Sequence, residues 1–436
     1  MKVNEKWSMK KWLCVLVSLP AILVGCTLLY PPEPSPPSSP TATFSPLPTP
    51  SPTLTVMPAP PFVILDVWVP DFLNPYNETT GAAVLNEQLA EFTDIYPDIQ
   101  VQVMVKKASG TGGLYGLLSS AYPVAPAVLP DLVVLNQSDL GAAIEGGFIQ
   151  PFEPYPVDLT SFFPFSVSGL QKDEKTYGIP LVVQADQMVY RSGISSVPPF
   201  TWTDVLTSGY SMLFPAGPEN GLADDALLAI YLGSGGKVMD EQGKPTLDRA
   251  TLEQLYRFFD EMIARNLLNP ERVLGLTNAQ LCWDVYQQGI GRLSPVPAGV
   301  FWTTPSKNNL PTWAPTLHGQ PTAIAHTWVL ALVTDDPFRQ EASLQLALWL
   351  TSPRQTADLT HATLLLPPRV QSLEQWGLSS EEIVFLQEWL GSATPALPAN
   401  VDTPVRRALQ AGLRALLSEE DTTPEEAATY ALTNLR

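Results

Sequence analysis

The chain has 436 residues, 45% of them hydrophobic, and a formal net charge of −19. That length accommodates two lobes, and the apolar fraction supports a real core. The acidic balance argues against a nucleic-acid partner, which would need a basic face.

At the N-terminus, Lys2, Lys6, Lys10 and Lys11 against Glu5 give a basic start of net +3, followed by a short apolar run over 12–24. The run is shorter than the ~20 residues that a membrane span needs. It ends in Leu23-Val24-Gly25-Cys26, a signal-peptide pattern whose end resembles the bacterial lipobox. The resemblance implies cleavage before Cys26 and lipid on its thiol. Residues 1–25 are then a lipoprotein signal peptide, and the mature chain carries −19 less +3, or −22. Over 31–61, thirteen of 31 residues are proline and the only charge is Glu33. Such a stretch favours polyproline II and reads as a semi-stiff tether, about 90 Å when extended.

Beyond the tether, 62–69 is a nearly continuous apolar run suited to a buried strand. Leu85, Leu89, Phe92 and Tyr96 recur at helical spacing until Pro97, and 99–105 alternates as a second strand. The glycine-rich piece 109–113 lacks the spacing of a phosphate-binding loop and reads as a loop opening the next helix. Residues 130–135 form a third strand, leading into a helix over 138–146 with Ser138 as N-cap. Strand–helix–strand alternation makes this lobe α/β, with ligands expected at the carboxyl ends of the strands. That points to Trp68 and Asp71 after the first strand, and to Asn136 and Gln137 after the third. Further on, Thr201 and Asp204 are placed for a capping box, with Trp202 as a packing residue. A short strand over 210–214 and helices over 223–232, 251–265 and 277–288 follow, the first ending in a glycine cap over 233–236. Thr403-Pro404 and Thr423-Pro424-Glu425-Glu426 read as helix starts.

The organising stretch is 175–206: Tyr177-Gly178-Ile179-Pro180, an apolar run ending at Tyr190, and a Thr201-Trp202 helix start. It resembles the family 1 extracellular solute-binding proteins of bacterial ABC importers, which have a YGIP turn, a YYN-like run and a P-x-TW start at this spacing. Arg191 stands where that family often has Asn. The helix ending in Phe92 and Tyr96-Pro97, the Pro130-Asp131-Leu132-Val133 strand, Gly291-Arg292, Trp302, the segment 327–359 and Leu366-Pro367-Pro368-Arg369 are similar to that family in the same order. The proline-containing piece 295–297 departs from it. The resemblance covers nearly all of 62–436. It implies an α/β, two-lobed periplasmic-binding-protein-like fold of type II with an interlobe ligand cleft. The chain would cross between lobes near 180–190 and return near 325–335. It also implies a glycine tract close to the cleft, which brings in Gly235.

Catalytic patterns are absent: there is no HExxH, CxxC or GxSxG. His318, His326 and His361 each read as a lone histidine, and His318 and His326 do not have helical metal spacing. With Cys14 in the leader and Cys26 set for lipid, Cys282 is left as a buried small apolar residue. No metal, cofactor or catalytic residue is expected. Eleven tryptophans say more. Sugar rings present C–H faces that stack on indole and polar edges that want Asp, Asn, Gln and Arg. Trp68, Tyr76, Trp283, Trp302 and Trp328 are the candidate platforms, with Asp71, Asn136, Asp186, Gln187 and Arg369 as polar partners. The reading is a monomeric, lipid-anchored extracytoplasmic binder that delivers a small-molecule solute, a carbohydrate, to an ABC transporter permease. A secreted carbohydrate-active hydrolase and a sensor lipoprotein of the same fold are the alternatives.

Overall fold

A computed structural model describes residues 62–154, 157–193, 198–218, 220–304, 308–419 and 421–435. The expected leader, Cys26 and tether lie outside these residues.

The first lobe begins with β1 (Val63–Pro70), α1 (Thr80–Ile95), β2 (Ile99–Lys106), α2 (Leu114–Ala121), β3 (Leu132–Asn136) and α3 (Gln137–Glu145). A one-turn helix α4 (Pro164–Val167) and a small hairpin, β4 (Gln171–Lys172) and β5 (Lys175–Thr176), lead to the long strand β6 (Ile179–Arg191). The second lobe follows with α5 (Trp202–Ser208), α6 (Asp225–Gly233), α7 (Arg249–Ala264), α8 (Pro270–Leu274) and α9 (Ala279–Gln287). After these come β7 (Leu293–Pro297), α10 (Ala298–Thr303) and β8 (Asn309–Thr312). The strand β9 (Ala323–Leu332) precedes α11 (Pro337–Leu350), α12 (Pro353–Thr363), α13 (Val370–Leu373) and α14 (Ser380–Gly391). The chain ends with β10 (Ala393–Pro395), α15 (Ala399–Ser418) and α16 (Pro424–Asn434).

The strands run in the order β2-β1-β3-β9-β6-β7, with β10 on β9 and β8 on β6. β1 is parallel to β2 and β3, whereas β9 is antiparallel to both β3 and β6. β6 changes partner along its length. Ile179 to Ala185 pair with β9, and Asp186 to Tyr190 pair with β7. One strand therefore belongs to the sheets of both lobes, and the changeover falls between Ala185 and Asp186. Each lobe has its own apolar centre. Leu65, Phe92, Leu118 and Val133 belong to the first, and Tyr210, Phe214, Phe259 and Leu409 to the second. A third cluster with Val183, Val189, Trp283 and Trp389 gathers around β6.

Several local expectations are met in detail. Thr201 and Asp204 form a reciprocal capping box on α5, as do Thr423 and Glu426 on α16. Trp202 is buried, stacked 5.1 Å from Phe258. Gly235, with φ +92°, takes the left-handed turn just past α6 that a side chain would strain. Cys282 is fully buried, and burial pushes its thiol up, so it is inert. Other expectations are corrected. The N-cap of α3 is Asn136, not Ser138: its Oδ1 accepts from the Ser138 N–H at 3.0 Å and from the Ser138 hydroxyl at 2.8 Å. Residues 210–214 are not a strand. Met212 forms one isolated bridge to Leu293, and its N–H goes instead to Leu267. α15 starts at Ala399, not at Thr403-Pro404, because Pro398 turns the chain into it; Pro404 lies inside the helix.

Candidate functional site

The changeover in β6 opens onto a cleft of about 970 Å³. Val183, Gln184, Ala185 and Asp186 of β6 form its centre, and His326 and Trp328 of β9 stand beside them. The first lobe adds Phe72, the 108–110 turn after β2, Tyr115, Asn136, Ser138 and Asp139. The second lobe adds Leu222, Asp225, 297–299 and the first turns of α15 at Ala399, Asp402 and Thr403. Five helices (α2, α3, α6, α10 and α15) begin at this cleft, so their positive ends favour oxygen-rich, electron-donating groups there. Gly299 allows the close approach of α10 to the end of α12: a Cβ there would lie 2.0 Å from the Leu364 carbonyl oxygen. Leu364 itself has φ +58° and forms part of the cleft wall.

An ionic network braces the second-lobe side. Buried Arg406 donates through Nη2 to Asp225 Oδ1 at 2.5 Å, through Nε to Asp402 Oδ1 at 2.7 Å and through Nη1 to the Ala223 carbonyl at 2.9 Å. Asp225 Oδ2 lies 2.9 Å from His326 Nε2, which links α6 and α15 to β9. Burial works against the Asp225 charge, but His326 and Arg406 outweigh it and hold this carboxyl well below the usual range. The neighbouring Asp224 lacks such partners. Burial, and then the Asp225 charge, push it up to about 7. Asp186 is raised well above its ordinary value by burial and by the charges of Asp224 and Asp225. Burial lowers His326, but the Asp225 charge and hydrogen bond more than reverse this, and its pKa is raised. Asp139, across the cleft, is raised by burial alone.

Of the residues singled out from the sequence, the cleft brings together Asn136, Asp186 and Trp328. The Trp328 indole N–H donates to Gln184 at 2.9 Å and its ring meets Phe72 edge-on at 5.0 Å, which locks both aromatics in place. The other nine lie outside the lining. Trp68 is buried in the first lobe with Lys106 Nζ 5.0 Å over its ring. Asp71 precedes Phe72, the residue that does face the cleft. Tyr76 is exposed and its hydroxyl donates to the Val103 carbonyl at 2.7 Å. Gln137 donates to the carbonyls of Phe165 and Ser168, tying α3 to α4. The alternation of β6 turns Gln187 away from Asp186 and into the aromatic cluster, where it accepts the Trp302 indole N–H at 2.7 Å. Trp283 stacks on Tyr286 at 5.5 Å. Gly235 sits past the far end of α6, whose first turn is the part that reaches the cleft. Arg369 lies 3.8 Å over the Phe162 ring, and burial pulls its guanidinium down to about 10.

The sequence reading passed over Phe72, Tyr115, Asp139, Asp225 and Asp402, and its reading of His326 as a lone histidine is corrected: the ring pairs with Asp225 at 2.9 Å and lines the cleft. His326 had a local signal: it is two residues before Trp328 on one strand, and therefore shares its face. Among the described residues no three His, Cys, Asp or Glu side chains converge to hold a metal ion. No described helix is long and apolar enough to cross a membrane.

Two lobes joined by shared strands, with a cleft at the crossing, define a type II periplasmic-binding-protein fold. Solved structures agree. The sugar-binding protein MalE from Xanthomonas citri superposes with a TM-score of 0.69 at 17% identity, covering 86% of this chain and 96% of that one. Maltose-bound MalE3 of T. maritima gives 0.65 at 19% identity, covering 85% and 98%. Residues 73–384 match the family described as bacterial extracellular solute-binding protein, and the chain belongs to that family. It is also 25% identical over 180 residues to the maltotriose-binding protein of Pyrococcus abyssi (strain GE5 / Orsay). That match spans 40% of this chain and 38% of the relative.

Proposed function

We propose that the protein is an extracytoplasmic solute-binding lipoprotein that captures a mono- or oligosaccharide between its lobes and delivers it to the permease of an ABC importer. The carrying observation is the cleft at the β6 changeover. It combines aromatic walls from Phe72, Tyr115 and Trp328 with carboxylates from both sides that can accept sugar hydroxyls. Its size, about 970 Å³, is at the upper end for small-molecule sites and leaves room for more than one ring. The maltotriose-binding relative supports a carbohydrate. Binding favours the closed arrangement of the lobes, and no bond is made or broken. Cys26 carries the lipid, and 31–61 is the spacer that holds the binding domain off the membrane, as a monomer.

The test is a thermal-unfolding scan of the protein against maltose, maltotriose, other oligosaccharides, polyols and peptides, with the ligand analysed afterwards by mass spectrometry. A ligand at 100 times its Kd adds about 2.7 kcal/mol, which is a rise of a few degrees. The expected result is a rise with a sugar that is recovered intact. Conversion of the sugar, or no rise with any of them, would overturn the reading. Lipidation is read separately, as a mass increment on the peptide beginning at Cys26 that Cys26→Ser abolishes.

A further inference from the structure

We infer that the solute is an oligosaccharide held by one end: its leading rings stack in the cleft at the β6 changeover, and the rest of the chain runs out into a second chamber over the starts of α6 and α9. This rests on the carbohydrate reading above and narrows it to a size class and a direction. The second chamber measures about 670 Å³. It is continuous with the first, since Ser109, Leu222, Asp225, His326 and Asp402 line both. The first chamber alone, at about 970 Å³, reaches the top of the ~300–1,000 Å³ range of small-molecule sites. A solute of one or two rings leaves the second chamber to water. The two chambers differ in chemistry. Phe72, Tyr115 and Trp328 line the first, whereas among the described residues no Phe, Tyr or Trp lines the second. Sugar faces therefore have stacking platforms only in the first. The second offers the amides and hydroxyl of Asn220, Thr277 and Asn278. Local turns hold these groups in place. Asn220 Oδ1 accepts from the Leu222 N–H at 2.9 Å, and Asn278 Oδ1 accepts from the Leu281 N–H at 2.9 Å. Asn278 Nδ2 donates to Thr277 Oγ1 at 3.3 Å, which leaves the Thr277 hydroxyl its own hydrogen for a ligand oxygen. Between the chambers stands a braced sill: Asp225 is bonded to His326 and Arg406, and Arg406 to Asp402. A sugar chain crossing it exchanges water for the polar groups beyond, and each such exchange gains only modestly. Affinity should then climb in small steps with chain length, past the point where the aromatic platforms are filled.

The experiment is calorimetric titration of the full chain with maltose through maltohexaose and, in parallel, cellobiose through cellohexaose. In the series that binds, the hexasaccharide is expected to bind about tenfold tighter than the disaccharide. Thr277→Trp, which fills the second chamber, removes that gain and leaves disaccharide affinity within about threefold. Hydrogen exchange gives a second reading on the unaltered chain: the hexasaccharide protects the amides of 277–281 and the disaccharide does not. A hexasaccharide bound no tighter than the disaccharide, an undiminished gain in Thr277→Trp, or equal protection of 277–281 by both sugars overturns the inference and leaves carbohydrate capture standing. Failure of every sugar to bind overturns both. If Thr277→Trp does not fold, the length series and the exchange pattern of the unaltered chain decide the matter.

Discussion

At the level of single residues, the tryptophans divide by what their indole N–H and ring face. Trp328 is fixed by Gln184 and Phe72 at the cleft, whereas Trp68 and Trp302 pack inside the protein. Trp328→Ala is therefore expected to weaken sugar binding by about tenfold or more, measured well below the unfolding temperature. Trp302→Ala should cost about 3–5 kcal/mol of stability and leave Kd nearly unchanged. Stability and titration data on the two variants check the contrast; equal losses of affinity would refute it. The acidic cluster makes a prediction about pH. Asp224, Asp186 and His326 all have folded-state values raised above their unfolded ones. Between about pH 4 and 7 the folded state thus binds more protons than the unfolded state, so stability falls as pH rises. Asp225, whose value is lowered, is ionised in both states above about pH 5 and does not oppose the trend there. The unfolding temperature should decline from mildly acidic to neutral pH, and Asp224→Asn should flatten the decline. An unchanged slope in that variant would show that Asp224 is not its source.

At the level of elements, local chemistry was legible wherever a motif carries its own hydrogen bonds. The Thr201–Asp204 and Thr423–Glu426 boxes could be read from residue type and spacing because each partner lies three positions from the other. Thr423→Ala should cost about 1 kcal/mol, seen as a lower denaturant midpoint at constant slope. Where an element depends on a distant partner, the reading slipped. The 210–214 segment has strand-like composition, but Met212 turns its N–H to Leu267, on the far side of α7. The close approach of α10 to the end of α12 was equally silent. Gly299→Ala places a Cβ against the Leu364 carbonyl, which must then move and take the cleft wall with it. The expected outcome is both a lower unfolding temperature and weaker ligand binding; wild-type affinity would show that the wall adjusts without consequence.

At the level of the molecule, β6 is the decisive element. It pairs with β9 in one lobe and with β7 and β8 in the other, so any relative motion of the lobes must bend it near Ala185 and Asp186. The Asp225–His326 contact couples the same region to α6 and α15. A ligand that meets residues of both lobes favours the closed form, and small-angle scattering should record a smaller radius of gyration with sugar than without. An unchanged radius together with measurable binding would place the unliganded protein in the closed state already.

The sequence by itself determined the class of fold, the extents of α3, α6, α7 and α9 to within about two residues, and the importance of the 175–206 stretch. These depend on periodicity, caps and breakers that act within a few residues. It also placed Asn136, Asp186 and Trp328 among the candidates, because strand ends and a lobe crossing can be read along the chain. Only the tertiary structure decided that Phe72 and not Asp71 faces the cleft, that Gln187 turns inward, and that Asp139, Asp225, His326 and Asp402 share one cavity. The physical reason is that facing is set by strand alternation and by which sheet a strand pairs with. A cleft wall gathered from Phe72 to Thr403 is brought together by the burial of two separate cores, and no local pattern in the chain records it.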